Sequence, residues 1–211
     1  MGSGNVEKWL RFYEPFFDSE QEAVAFVAPL EELRLGHPRH TAKIMMHQAQ
    51  RLVSLADDIP KIRKGNETLP LLFLLVCAEH IAKLSDGFDG EGKSRAYVRN
   101  FFEWFLSKEQ QEELTLGITT HERKPVTLRE AIDMFYSVRC DTVHEGKYWG
   151  FHFQDGGTPM LSCDPDVVLS LSLQEFRGFV VRGCIQAINT YPRVPNKALQ
   201  RTRSKQRASE R

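Results

Sequence analysis

The chain has 211 residues, 41% of them hydrophobic, and a formal net charge of zero at pH 7. This suits one domain with a substantial core and is too short for two full domains. No run approaches the roughly 18 consecutive apolar residues of a membrane span, and the N-terminus has neither the basic start nor the apolar stretch of a secretory signal. We therefore expect no membrane association and a cytoplasmic location.

The first 66 residues predict three helices that pack on the rest of the domain. A short segment, "NVEKWLRFYEPFF", forms the first helix, and a capping box from Ser19 to Glu22 begins the second. Thr41 is expected to cap the third helix. Pro60 should stop that helix, because proline lacks the backbone N–H that the next turn needs.

The middle of the chain predicts two more helices. The fourth begins at Thr68 with Pro70 in its first turn, and residues 71–78 are apolar on every side, which is typical of the central helix of a bundle. The fifth is read as one unit, "SRAYVRNFFEWFLSKEQQEEL", followed by a loop, "GITTHERKPV". Its apolar side chains recur at helical spacing and are assigned to the core: Val98, Phe101, Phe102 and Phe105.

Among the predicted helices, one late in the chain has the clearest sequence signals at both of its ends. A second capping box, Thr127 to Glu130, precedes it, and it should run to His144 with Gly146 as its C-terminal stop.

A small β-structure is predicted between this late helix and the last helix of the chain. The segments "KYWGFHF" and "PMLSC" flank the turn "QDGGT" as a hairpin, and "VVLSLSL" alternates as a further short strand. Ser172 and Glu175 then cap a final helix that runs to about Tyr191. The predicted fold class is mainly α: a helical bundle with a small β-hairpin and short strands before the last helix.

Residues 193–211 form a basic tail. They contain seven Lys or Arg and one acid, so the rest of the chain is net acidic. The segment has almost no large apolar residue and is predicted to be disordered. It is either a solvated tail without a specific role or a segment that attracts phosphates.

Neither the cysteines nor the histidines suggest a metal site. The four cysteines show no C-x-x-C spacing, so reduced thiols are expected. Three histidines near residue 40 have no carboxylate or cysteine at ligand spacing. No metal and no cofactor is therefore expected. The residues concerned are Cys77, Cys140, Cys163 and Cys184, and His37, His40 and His47.

The end of the late helix contains an arginine and a histidine five positions apart, in "YSVRCDTVHEGKYWGF". Arg139 falls at the edge of the core stripe, where a guanidinium must be paired or open onto a cleft. His144 lies about 140° further around an ideal helix. Joint use of the two side chains needs either an unwound last turn or a second copy of the helix across a dimer axis.

Together these two side chains can cleave RNA without a metal. A histidine transfers protons near neutral pH, and an arginine grips phosphate with a bidentate fork. His144 would move the proton of an RNA 2′-hydroxyl that attacks its own phosphodiester, and Arg139 would stabilise the charge developing on phosphorus.

The segment "RCDTVH" with its following "EGKYW" resembles the HEPN family, all-helical bundles whose ribonuclease members carry an R-x(4–6)-H motif at the end of a late helix. The likeness extends over about residues 69–191, with an apolar helix ending in Glu79 upstream, so residues 67–192 are assigned to a HEPN-like helical domain. It implies a metal-independent endoribonuclease of the toxin or defence kind. It further implies a homodimer with Arg139 and His144 at the subunit interface, RNA as substrate, Glu79 and Asp141 in supporting roles, and a partner or antitoxin protein.

Two other interpretations stay open. Many catalytic members carry a polar residue directly after the arginine, whereas this chain has Cys140 there and its acid at Asp141. This departure favours a non-catalytic dimerisation, interaction or nucleotide-binding module of the same fold. In a purely structural interpretation, Arg139 pairs with Glu79 and His144 complements the helix dipole, although Lys83 could equally satisfy Glu79 within its own helix.

Overall fold

A computed structural model describes residues 3–63, 67–88, 90–120, 124–147, 151–153, 160–161 and 167–192. The predicted basic tail, Cys163 and the predicted hairpin turn lie outside these ranges. Within them the chain is a bundle of eight α-helices with three short strands, and this confirms the predicted fold class. The elements are α1 (Ser3–Tyr13), a 3-10 helix (Glu14–Phe16), α2 (Glu20–Glu31), α3 (His40–Ile62), α4 (Thr68–Asp86), α5 (Ser94–Phe105), α6 (Lys108–Leu116), β1 (Ile118–Thr120), α7 (Leu128–Glu145), β2 (Met160–Leu161), β3 (Val167–Leu169) and α8 (Leu173–Asn189).

Side-chain caps fix where several helices begin. At α7 the Thr127 hydroxyl accepts the Glu130 N–H at 3.3 Å, and the Glu130 carboxylate accepts the Thr127 N–H at 2.9 Å. Ser172 and Glu175 form the same box at α8. Both capping boxes were predicted from the sequence and are confirmed. A third box, Ser107 with Gln110, begins α6 and was missed.

Two predicted boundaries of α3 are wrong. The helix begins at His40, with Arg39 rather than Thr41 at the N-cap, and it continues past Pro60 to Ile62. Pro60 is tolerated because it lies in the last turn, where only one backbone hydrogen bond is lost. The Arg63 N–H closes the helix on the Ile59 carbonyl at 2.9 Å.

The apolar helix α4 lies at the centre of the bundle and packs against α3, α5, α7 and α8. In the part of the chain that the structure describes, it is the one helix long and apolar enough to cross a membrane, and 56% of its apolar window is buried inside the fold. This is the pattern of a core helix in a globular bundle, as the sequence predicted.

Aromatic side chains fill the space between α5, α7 and α8. The predicted core positions of α5 are buried, with Phe101 and Phe102 at 0% exposure. Gly183 on α8 lets α5 approach closely, because a Cβ there would lie 2.6 Å from the Phe101 ring. The predicted fifth helix is in fact two, since the chain turns at Leu106 and starts again with α6.

Two core cysteines face each other across α4 and α8. The Sγ atoms of Cys77 and Cys184 are 3.7 Å apart, a hydrogen-bond contact between two free thiols, and both residues are fully buried. Burial raises the pKa of the Cys184 thiol well above its ordinary value. Both groups therefore behave as small apolar core residues.

The strands form an antiparallel sheet in the order β1, β3, β2. Leu169 of β3 lies opposite Ile118 on one side and Met160 on the other. The predicted strand at 147–153 is wrong for Phe151 to Phe153, which have no strand pairing and instead bury two aromatic rings. Residues 118–120 were assigned to a loop from the sequence, but they form β1, which pairs with β3 at one edge of the sheet. The sheet ties the segment before α7 to the start of α8.

Candidate functional site

The motif helix α7 is regular through its last turn. Gly146 adopts a left-handed conformation, with φ of 66°. The N–H groups of Gly146 and Lys147 both bond to the Asp141 carbonyl, the latter at 3.2 Å. This is the closure expected of a glycine C-cap. The last turn of α7 is therefore not unwound, and an unwound turn was one of the two ways in which Arg139 and His144 could act together. The other is a second copy of the helix across a dimer axis.

Arg139 lies at the edge of the core, as its position on the helix predicted. Its side chain is 18% exposed. The guanidinium lies over the Tyr136 ring, 5.3 Å from the centroid. One terminal nitrogen, Nη2, is 3.7 Å from the Oε2 atom of Glu79 on α4. Arg139 thus faces α4 and is held by an aromatic ring and a carboxylate.

Glu79 has partners on three helices: α4, α5 and α7. Its Oε1 atom accepts hydrogen bonds from Lys83 Nζ and from the Ser94 hydroxyl, both at 2.7 Å. Its side chain is 13% exposed. The two partners predicted for Glu79, Lys83 within its own helix and Arg139 across the bundle, therefore coexist on different oxygens of one carboxylate.

The Arg139 contact is looser than the other interhelical arginine pairs. Arg177 on α8 bonds Asp57 on α3 with two nitrogens, at 2.7 and 2.8 Å. Arg99 on α5 likewise grips both oxygens of Asp133 on α7. A separation of 3.7 Å is longer than a hydrogen bond. Arg139 therefore keeps hydrogen-bond donors that Glu79 does not use.

His144 lies on an open surface at the end of α7. It is exposed, and the neighbouring Val143 is 50% exposed. Lys147 pairs with Glu145 beside it. No hydrogen bond or ion pair joins His144 to Arg139 in the described part of the chain. The structure therefore does not bring these two side chains together within one subunit.

The remaining motif residues have backbone and packing roles. Asp141 contributes its carbonyl oxygen to the helix end. The hydrogen bond and charge of Glu145, and more weakly the charge of Asp141, raise the pKa of Lys147. Cys140 is half-buried and packs against the core.

Further cations surround Arg139, and sequence reasoning did not place them there. Arg95, in the first turn of α5, contacts the same aromatic ring as Arg139: its guanidinium is 5.2 Å from the Tyr136 ring centroid. Lys83 and Lys93 both approach the Phe88 ring, at 5.9 and 5.6 Å. Burial raises the pKa of the Tyr136 phenol, so its hydroxyl stays protonated at neutral pH.

The three histidines near residue 40 do not converge. His47 pairs with Glu31 and stacks on Trp9, with ring centroids 4.3 Å apart. The His37 ring accepts the Arg39 N–H at 3.1 Å. In the described ranges no three His, Cys, Asp or Glu side chains form a group that could hold a metal ion.

Comparison of the chain with protein-family models, with curated proteins and with solved structures finds no match.

Proposed function

We propose that the protein is a metal-independent endoribonuclease that acts as a homodimer, with Arg139 of one subunit and His144 of the other at each reaction centre. One observation carries the proposal: α7 is regular through Glu145, so the two side chains point away from each other on one chain. They are separated by about 140° around the helix and about 7.5 Å along it. Two copies of the helix related by a two-fold axis remove this mismatch.

The chemistry follows from the residue types. His144 accepts the proton of a 2′-hydroxyl, the 2′ oxygen bonds to phosphorus, and the bond from phosphorus to the 5′ oxygen breaks. The products are a 2′,3′-cyclic phosphate and a 5′-hydroxyl end that takes up a proton. Arg139 donates to the non-bridging phosphate oxygens as negative charge builds on them. The donors that Glu79 leaves unused are the ones this role requires.

Cleavage of a single-stranded RNA in excess chelator tests the reaction. We expect cleavage to persist without divalent metal, to leave a cyclic phosphate, and to stop on a 2′-O-methyl substrate. His144→Ala and Arg139→Ala should each lower the rate at least about 100-fold, the low end for a positioned proton-transfer group. Full activity in His144→Ala would remove the histidine from the mechanism.

A mixed dimer tests whether the site is shared between subunits. Arg139→Ala and His144→Ala chains are inactive alone, but a mixed dimer restores one complete site if arginine and histidine come from different subunits. Equal mixing with free exchange should recover about a quarter of wild-type activity, because half the dimers are mixed and each has one intact site. No recovery after verified exchange would place both residues in one subunit and contradict the proposal.

The contact between Arg139 and Glu79 favours a second candidate. In this alternative, Arg139 is structural and the exposed end of α7 serves a non-catalytic dimerisation or interaction module. A wild-type protein that cleaves no RNA yet sediments as a dimer would support it. Light scattering that shows a stable monomer at micromolar concentration would count against both candidates.

A further inference from the structure

Arg139 and three further basic side chains, from α4 and the start of α5, form a cluster of four. They are Lys83 on α4, Lys93 at the N-cap of α5, Arg95 in the first turn of α5, and Arg139 on α7. Lys93 and Arg95 are exposed, while Lys83 and Arg139 are 19% and 18% exposed. We refer to these four residues as the basic face.

Aromatic rings hold the basic face in position. Arg95 and Arg139 lie against the Tyr136 ring, at 5.2 and 5.3 Å from its centroid. Lys83 and Lys93 lie against Phe88. Ring contacts of this kind restrict long side chains without neutralising them. The cations are therefore ordered before any ligand arrives, which reduces the entropy lost on binding.

The basic face also carries a net positive charge, although residues 1–192 are acidic overall. In the described ranges Glu79 is the carboxylate that pairs with members of this face, accepting a hydrogen bond from Lys83 and lying 3.7 Å from Arg139. Lys93 and Arg95 form no ion pair within those ranges, so their positive charges are left uncompensated there. Such a surface attracts a polyanion, and the geometry favours phosphate oxygens because arginines contribute planar, multiple donors.

We infer that the basic face binds the sugar-phosphate backbone of single-stranded RNA and leads the strand to Arg139. This inference rests on the proposed function, since it names the form of substrate that the same site takes. In-line attack by a 2′-hydroxyl requires a nucleotide free to rotate about its backbone, and a duplex restricts that rotation. Contacts to the backbone from lysine and arginine carry no base preference.

Binding of a non-cleavable strand separates recognition from chemistry. The probe is a fluorescent single-stranded 2′-O-methyl RNA of about 12 nucleotides, titrated with the full chain while anisotropy is recorded. Arg95→Glu and Lys93→Glu remove exposed cations outside the reacting pair. Glutamate is favourable in the first turn of a helix, so Arg95→Glu should fold normally.

The expected loss can be worked from counterion release. For single strands, the logarithm of the binding constant falls by about 0.7 per phosphate contact for each tenfold increase in salt. Each lost contact should therefore weaken binding about fivefold at 0.1 M salt and reduce the magnitude of this slope by about 0.7. The double variant should lose about 25-fold. Lys108→Glu is the matched control, because Lys108 begins α6, just beyond the opposite end of α5, and undergoes the same charge reversal at a helix start. It should bind like wild type.

Each result decides a different point. Unchanged binding by Arg95→Glu and Lys93→Glu would overturn the proposal that the basic face binds RNA, even if the wild type cleaves RNA. Equal losses in Lys108→Glu would overturn it as well, since the effect would then reflect net charge alone. Equally tight binding of a duplex would overturn the preference for single strands. Selective loss of binding in a protein that cleaves no RNA would support the basic face and refute the proposed nuclease.

Discussion

The strength of the contact between Arg139 and Glu79 decides how any Arg139 variant should be interpreted. If the contact is weak, replacing Arg139 removes a reactive group and leaves the fold intact. If it is strong, the same replacement leaves Glu79 short of a partner and destabilises the bundle. Two double-mutant cycles measure the difference: Glu79→Gln with Arg139→Gln, and Glu79→Gln with Lys83→Gln.

The structure sets the expected magnitudes. Lys83 makes a hydrogen bond to Glu79 at 2.7 Å, and hydrogen bonds to charged groups contribute about 1.5–3 kcal/mol. Arg139 is 3.7 Å away, beyond hydrogen-bond range, so its coupling should resemble that of a partly exposed ion pair, about 0.2–1 kcal/mol. The Lys83 cycle should therefore give the larger coupling energy.

Urea unfolding of the four proteins in each cycle, followed by tryptophan fluorescence and by circular dichroism at fixed salt, gives the coupling energies. Equal m-values across each cycle are the control that the unfolded states are comparable. A coupling for Arg139 that equals or exceeds that for Lys83 would refute the reasoning. Activity lost in Arg139→Ala would then be explained by damage to the fold.

Three further predictions concern the helices that position the site. Burial, and then the charge of Lys83, lower the pKa of His80. As the pH falls below 6.5, His80 binds a proton in the unfolded chain before it does so in the folded chain, so the free energy of unfolding decreases. His80→Gln should flatten this decrease in unfolding curves measured from pH 7.5 to 5.5. In the same assay Gly183→Ala should destabilise by about 1–3 kcal/mol, because its Cβ would meet the Phe101 ring at 2.6 Å. Gly178→Ala should stabilise by up to about 1 kcal/mol, because its Cβ would meet only the flexible end of Arg182, at 3.4 Å. The reverse order of stability would contradict the close packing of α5 on α8. Gly146→Ala should destabilise by about 1–2 kcal/mol because of its left-handed φ and should lower RNA cleavage, and an unchanged unfolding midpoint would show that the helix end does not need that conformation.

Helix ends were predictable where a side chain and its backbone partner are three residues apart. Thr127 with Glu130, and Ser172 with Glu175, carry all their information locally. The start of α6 had the same signal in Ser107 and Gln110, but the apolar spacing of the preceding residues favoured one continuous helix. The helical period of these apolar residues therefore obscured the break between α5 and α6.

The β-structure and the site surroundings depended on contacts that are remote in sequence. Residues 118–120 form a strand because β3 lies beside them, about fifty residues later, and a three-residue segment has no periodicity to reveal this. The position of Arg139 at the core edge was predictable from helix geometry alone. The convergence of Arg95 and Lys93 on the same surface was not, since it depends on how α4, α5 and α7 pack.

The C-terminal half of α7 gives Arg139 and His144 different environments, and the proposed reaction requires this difference. An arginine that stabilises a phosphate must be ordered and must keep hydrogen-bond donors for the substrate. Arg139 lies on Tyr136 and is 3.7 Å from Glu79, whose carboxylate is hydrogen-bonded to Lys83 and Ser94 instead. A proton-transfer group must reach the substrate, and His144 lies where Gly146 ends the helix in the open. The same helix geometry keeps the side chains of Arg139 and His144 apart within one subunit. The proposed reaction therefore requires a second copy of α7, from another subunit.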